Sequence, residues 1–172
     1  DQSSSRGLGD VYKRQLYLSK QNNMEFILFL SKLDKEILDL LIKANYVVEE
    51  NKIECLFNED IKGLHNFAEN KIIICTENAK KKTNYRDKNW EPNKDNFKTE
   101  RAIRKALRHE ATHVVQKCNN NKILGDIEKL ESKLHPMKRE ALVFSTSNFS
   151  GTYEKEVEAY VLEDKPKKVK NL

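Results

Sequence analysis

Residues 106–115 read ALRHEATHVV and contain the pattern H-E-x-x-H inside a run, 98–118, that has no proline. The apolar positions that repeat along this run are Ile103, Leu107, Ala111, Val114 and Cys118. Their spacing is that of a helix with one buried face. Residues four apart share a helix face, so His109 and His113 can hold one metal ion while Glu110 lies beside it. The stretch therefore predicts a helix that carries a metal site.

A catalytic zinc ion usually takes three protein ligands and a water molecule, so the two histidines need one further partner. The extended pattern H-E-x-x-H-x-x-G-x-x-H does not apply, because Gln116 and Asn119 stand where it requires glycine and histidine. Our preferred third ligand is Glu156, which opens the pattern E-x-x-A in a helix predicted over 153–163. The small Ala159 would let that helix pack closely against the first. Other positions that stay open as the third ligand are Cys75, His135, Glu154, Glu158 and Glu163.

Bound zinc would make this stretch a hydrolytic centre with one Zn²⁺. Glu110 is adjacent to a ligand without being one, so it is the candidate general base and acid. An oxyanion formed during hydrolysis needs a hydrogen-bond donor. The unranked candidates for that role are Tyr153, Tyr160 and His135.

The remaining pattern predicts helices and a few short strands. Helices are expected over 24–44, 126–134 and 137–144, the first with Asp34 on its polar side, and 145–151 reads as turns. The runs 46–48 and 53–57 read as a hairpin, 63–70 as a loop with an exposed His65, and 79–96 as a long polar loop.

Residues 71–76 give the clearest strand signal, since they are rich in β-branched side chains. One interpretation makes Ile72, Ile73 and Ile74 an edge strand beside the cleft, where main-chain hydrogen bonds could hold an extended substrate. The alternative is a central core strand. The sequence does not decide between the two.

The composition indicates one domain. The chain has 172 residues, 38% of them hydrophobic, which suffices for one modest core. Its net charge of +5 comes from scattered lysines and from clusters at 80–82 and 165–170, with no interleaved aromatic residues and no nucleic-acid-binding motif. An AT-biased genome explains these lysines at least as well as a nucleic-acid partner does.

The cysteines and apolar runs bear on the compartment. Cys55, Cys75 and Cys118 are odd in number and form no C-x-x-C pair, so the sequence indicates no disulfide framework and favours a reducing, cytoplasmic setting. The apolar run 26–30 is far shorter than the about 20 residues that span a bilayer. It follows Glu25 and no basic segment, so we expect neither a signal peptide nor a membrane partner.

The two ends of the chain are set apart from the domain. Residues 1–15 resemble translated sequencing adapter, and 16–23 read as a leader before Met24. We expect a single domain over 24–164, followed by a basic tail over 165–172. Whether the C-terminus is truncated stays open.

An H-E-x-x-H helix followed by an E-x-x-A helix resembles the gluzincin metallopeptidases, and the layout is similar to the Atp-twenty-three type of small metalloprotease. The matching pieces are 73–78, the first helix with Cys118, and 156–159. The resemblance implies an α+β, zincin-like fold: a small sheet whose edge strand borders a cleft over the H-E-x-x-H helix, with the third ligand on a C-terminal helix. Related sites often carry Asp or Asn at the position of Tyr160 to orient a ligand histidine. Either another group does so here or the site is looser.

The expected function is therefore zinc-dependent hydrolysis of peptide bonds in a peptide or protein substrate. Two alternatives remain open at this stage. One is a zincin-like binding or regulatory module that no longer hydrolyses anything. The other is a small α+β protein without metal that binds anionic partners through its lysines.

Overall fold

The computed structural model describes residues 24–81, 92–148 and 152–172. The expected adapter, the expected leader and the middle of the polar stretch 79–96 lie outside these residues. The described part of the chain has seven α-helices and one three-stranded sheet, which confirms that the fold is of the mixed α+β type. No helix within it is long and apolar enough to cross a membrane.

The helices and strands are short, except for the helix that carries H-E-x-x-H. The helices are α1 (Lys32–Lys43), α2 (Thr76–Lys81), α3 (Pro92–Cys118), α4 (Ile127–Glu131), α5 (Lys138–Asn148), α6 (Tyr153–Leu162) and α7 (Pro166–Lys170). The strands are β1 (Val47–Glu50), β2 (Gly63–Asn66) and β3 (Lys71–Ile74). Two 3-10 turns span Glu25–Phe29 and Ile53–Leu56.

The sheet has the order β1-β3-β2, with β1 parallel and β2 antiparallel to β3. Ile72, Ile73 and Ile74 are at most 2% exposed, so β3 is a central strand and the edge-strand interpretation is wrong. Apolar residues on both faces are typical of a strand that is covered on both sides. The edge strands are β1 and β2, and β2 lies in the stretch 63–70 that was expected to be a loop.

The predicted hairpin of 46–48 and 53–57 is also wrong. Residues 47–50 pair with β3, and 53–56 form a 3-10 turn. Asn51 adopts a positive φ of 48° directly after β1, and Asn70 adopts one of 49° between β2 and β3. Asparagine tolerates this left-handed conformation better than most residues, so both positions are suited to turning the chain.

The single helix expected over 24–44 is interrupted at Ser31, which starts α1 with a capping box. The Ser31 side chain accepts from the main-chain N–H of Asp34, and the Asp34 carboxylate accepts from that of Ser31. Asp34 is completely buried, although its polar spacing placed it on the exposed side. Its carboxylate accepts hydrogen bonds of 2.6 and 3.1 Å from the guanidinium of Arg108 on α3. This ion pair joins α1 to the H-E-x-x-H helix.

The core is built around α3, which packs against α1, α6 and the sheet. Ile103, Leu107, Ala111 and Val114 are all under 5% exposed, as the helical spacing predicted. Cys118 departs from the prediction, since it is exposed at the end of the helix. A second cluster under α4, α5 and α6 contains Leu130, Leu134, Leu142, Val157 and Val161. These two clusters fix α3 and α6 side by side.

Cys55 and Cys75 form a disulfide, with their Cα atoms 5.5 Å apart. The sequence indicated no disulfide, so this pair is a correction, and the argument from the cysteines for a reducing compartment loses its basis. The disulfide ties the 3-10 turn before β2 to the end of β3. Asn78 holds the same segment, because its amide donates to the carbonyls of Cys55, Asn58 and Ile61.

The C-terminal segment 165–172 is part of the fold and not a tail beyond it. Its helix α7 packs on α1, and Val169 is 4% exposed within the main core. The expected polar loop 79–96 is also shorter than predicted, because α2 extends to Lys81 and α3 begins at Pro92.

Candidate metal centre

Three side chains from two helices meet at one point. His109 and His113 of α3 and Glu156 of α6 offer ligand atoms that all lie within 4.8 Å of one another. The Nε2 atom of His109 is 3.2 Å from Oε2 of Glu156, and the Nε2 atom of His113 is 3.3 Å from Oε1. These side chains are only 12%, 7% and 7% exposed. These three residues, which the sequence singled out, could hold a single cation.

The close approach of α3 and α6 brings the ligands together. The two helices pack directly on one another, and Ala159 on α6 and Leu107 on α3 are both completely buried. Spacing of four residues then puts His109 and His113 on the face of α3 that Glu156 meets.

The far side of each imidazole ring also has a partner. His113 donates from Nδ1 to Oε1 of Gln116 at 2.8 Å. The side-chain amide of Gln116 has this orientation because its Nε2 donates to Glu158 and to the carbonyl of Lys155, and exchanging its oxygen and nitrogen would lose both hydrogen bonds. The Nδ1 atom of His109 lies 3.4 Å from Oε2 of Glu163. Both rings therefore turn Nε2 towards Glu156.

The charges of the cluster are coupled. Burial alone would raise the pKa of Glu156, but the hydrogen bonds from the two histidines outweigh it and hold the pKa below its usual range. For His109, burial would lower the pKa, yet the contacts with Glu156 and Glu163 raise it. Opposite charges thus stabilise one another in a place that water barely reaches.

Glu110 lies beside the cluster and is 6% exposed. Burial raises the pKa of its carboxyl, with the nearby histidines acting in the opposite sense. A carboxylate with a raised pKa is better able to accept a proton than an ordinary one. Its position therefore suits the predicted role of general base and acid.

A cleft of about 680 Å³ opens onto these residues. The segment 60–65 and α5 line it on either side, with His109, Glu110 and His113 between them. Apolar lining residues are Ile61, Leu64, Phe67, Ala102, Ala106, Met137, Ala141 and Phe144. Charged ones outside the metal cluster are Asp60, Lys62, Lys105, Glu140, Lys155 and Glu163. An elongated ligand could thus reach the cluster through a cleft whose lining mixes apolar and charged side chains.

The alternative third ligands lie elsewhere or face other groups. The carboxylate of Glu158 accepts from the main-chain N–H groups of Leu124 and Gly125 and from Gln116. Cys75 is in the disulfide, Glu154 is exposed, and Glu163 faces Nδ1 and not Nε2 of His109. His135 is exposed, and its Nδ1 accepts from the N–H of Met137. Glu156 is therefore the best-placed of the candidates.

Of the three candidates for stabilising an oxyanion, only Tyr160 lines the cleft. Its ring meets the ring of His109 edge-on, with the centroids 4.6 Å apart. Its hydroxyl is 2.9 Å from the hydroxyl of Ser145, and burial raises its pKa to about 12. Tyr153 is about half exposed and is not part of the cleft lining. His135 likewise lies outside the lining.

The sequence analysis missed His65 and Gly63, which both belong to β2 and line the cleft. His65 is not an exposed loop residue: both ring nitrogens are buried, and neither has a hydrogen-bond partner among the described residues. The centroid of its ring lies 4.1 Å from that of the Phe67 ring and 6.4 Å from that of the His113 ring. Burial lowers its pKa to about 3, so the ring is neutral. Residues 64–67 read Leu-His-Asn-Phe, which does not alternate between apolar and polar side chains, so periodicity held no signal for a strand here.

A family model described as a domain of unknown function, DUF8637, matches residues 26–172. The chain belongs to this family. No curated protein and no solved structure matches this chain.

Proposed function

We propose that this protein is a zinc-dependent metallopeptidase with a zincin-like arrangement. The observation that carries the proposal is the convergence of His109, His113 and Glu156 on one point, next to Glu110 and at the base of a cleft. Two imidazole nitrogens and a carboxylate are a donor set typical of catalytic zinc. Each histidine also has a partner for its other nitrogen, which is a common property of metal-binding histidines.

Zinc held by His109, His113 and Glu156 would supply a bound water of lowered pKa and would polarise the carbonyl group to be attacked. The chain supplies the proton transfers. Glu110 accepts the proton of the attacking water and later passes it to the amine that leaves. Tyr160 is the one candidate in the cleft for donating a hydrogen bond to the oxyanion, for which its hydroxyl would exchange Ser145 for the substrate.

An extended peptide would lie along β2. Within the described residues this strand pairs only with β3, so its other edge is available for main-chain hydrogen bonds. It takes the role first assigned to Ile72, Ile73 and Ile74, and its first residue, Gly63, lies next to Glu110. Binding through the main chain would favour peptides and unfolded segments as substrates.

The test is zinc content, by elemental analysis, together with cleavage of a quenched fluorescent peptide library by the full chain. We expect about one zinc per chain. Glu156→Ala should lose most of the metal, whereas Glu154→Ala, an exposed position on the same helix, should keep it. Glu110→Gln should keep the zinc and lose at least about a hundredfold in activity, since general base catalysis contributes about that much or more.

Other outcomes would overturn the proposal. Absence of zinc from the parent protein after exposure to the metal would rule out the proposed enzymatic function. Zinc without any peptide cleavage would leave a binding module. Salt-dependent binding of nucleic acid by a metal-free protein would instead favour the lysine-rich surface as the functional one.

A further inference from the structure

We propose that Glu163 is the positioning residue that orients His109 for the metal, in place of the residue one turn after Glu156. This inference rests on the proposed metal site. It names the group that fixes one of its ligands, which the sequence left open because Tyr160 occupies the expected position.

The imidazole of His109 lies between two carboxylates. Its Nε2 is 3.2 Å from Glu156 and its Nδ1 is 3.4 Å from Glu163. The two nitrogens are on opposite sides of the ring, so an acceptor at Nδ1 holds the proton there and leaves Nε2 free to bind a cation. Glu163 thus selects the tautomer that the site needs.

Glu163 is itself fixed from behind. Its side chain is 9% exposed, and Oε1 is 2.8 Å from Nζ of Lys138 and 3.4 Å from Nζ of Lys105. The two ammonium groups lie on the side of the carboxylate away from His109 and hold it in place by charge and hydrogen bonding. A charged and restrained acceptor can orient a ring that would otherwise rotate.

Tyr160 does not perform this function. It meets His109 through its ring, and its hydroxyl is paired with Ser145. Glu163 follows Glu156 by seven residues, about two helical turns, and so lies on the same side of the helix. Glu163 directly follows α6, and its side chain, which is longer than that of Asp or Asn, can reach back to Nδ1 of His109.

The two histidines have different partners. His113 faces the neutral amide of Gln116, whereas His109 faces a carboxylate. A carboxylate partner makes an imidazole a stronger donor to the metal than an amide does. His109 should therefore be the more firmly held ligand, and loss of Glu163 should affect the metal more than its distance from the cation suggests.

The experiment uses the full chain and measures zinc affinity by competition with a chromophoric chelator. Glu163→Ala should weaken zinc binding about 10- to 100-fold, the range found when such partners of ligand histidines are removed. Glu163→Gln should have a smaller effect, because its amide oxygen still accepts from Nδ1 without the charge. The matched control is Asp164→Asn, which disturbs the same lysines but does not touch His109. It should bind zinc like the parent.

Two spectroscopic measurements separate orientation from general stability. The cobalt(II)-loaded protein should change its visible absorption in Glu163→Ala and not in Asp164→Asn. In the zinc-loaded protein, the proton on Nδ1 of His109 should shift upfield in the proton–nitrogen-15 correlation spectrum of Glu163→Gln, because its hydrogen bond is weaker. This measurement tests the role of Glu163 even if the alanine variant does not fold.

Equal zinc affinity in the parent and Glu163→Ala would overturn this inference and leave the metal site intact. An equal loss in Asp164→Asn would also overturn it, because the effect would then belong to the salt bridges. A parent that binds no zinc would overturn the proposed function as well, so the two failures are distinct.

Discussion

Gly63 of β2 lies directly against Glu110 of α3: a Cβ atom at position 63 would be 2.9 Å from Oε1 and 3.0 Å from Cγ of Glu110. The edge strand can approach the candidate general base this closely only because it begins with a residue that has no side chain. The contact places the edge of the sheet directly beside the candidate general base.

The first prediction follows from that contact. Gly63→Ala should push Glu110 away from its position, and a displacement of about 1 Å can cost about a hundredfold in rate. Peptide cleavage should fall by at least tenfold while zinc content stays at the parent level. Asn66→Ala, in the same strand, is the control and should change neither. Full activity in Gly63→Ala would show that Glu110 tolerates the added methyl group.

The buried pair of Asp34 and Arg108 gives the second prediction. Arg108→Ala leaves the completely buried carboxylate of Asp34 without its main partner, which typically costs about 3–5 kcal/mol in the free energy of unfolding. Urea unfolding followed by circular dichroism measures it. The control is Glu100→Ala, which removes a helix-surface pair with Arg104 and should cost about 0.5 kcal/mol or less. Similar losses in both variants would contradict the prediction.

The disulfide gives the third prediction. Its cysteines are 20 residues apart, and closing a loop of that size stabilises a protein by about 3 kcal/mol. We therefore expect the double variant Cys55→Ala with Cys75→Ala to unfold at a clearly lower urea concentration. Cys118→Ala, at an exposed free cysteine, should unfold like the parent. Intact mass after alkylation under denaturing conditions reports whether the bond is present, and two additional reactive thiols in the parent would refute it.

His65 gives the fourth prediction. A buried polar group without a partner costs about 1–3 kcal/mol, and an apolar residue of similar size avoids that cost. His65→Leu should therefore match the parent at pH 7 or exceed it by about 1 kcal/mol in the free energy of unfolding. His135→Leu, at an exposed histidine, should leave stability unchanged. A marked loss of stability in His65→Leu would mean that the imidazole makes a favourable contact.

The sequence predicted well what depends on local spacing. His109, Glu110 and His113 are placed by the pitch of one helix, and Glu156 is placed by a short helix with a small residue at its contact. What the sequence could not provide were relationships between distant segments. Asp34 looked exposed because its partner is 74 positions away. Gly63 and His65 looked like loop residues because only pairing with β3 makes 63–66 a strand.

The disulfide escaped prediction for the same reason. Cys55 and Cys75 have no spacing motif, and only the return of the chain from β2 to β3 brings them within bonding distance. Glu163 was considered only as a third ligand, since the resemblance placed the group that orients a ligand histidine at the position of Tyr160. Each of these features depends on packing, which periodicity along a single chain does not report.

Helix α6 contributes Glu156 to the two histidines and, through Gln116, Glu158 to the back of His113, while Glu163, the residue directly after α6, lies at the back of His109. If this ten-residue helix detaches from α3, Glu156 and Glu158 leave with it and Glu163 is drawn away at its end. The centre should then behave as all-or-none: a molecule with α6 displaced still contains H-E-x-x-H but has lost one ligand and the restraints on the other two.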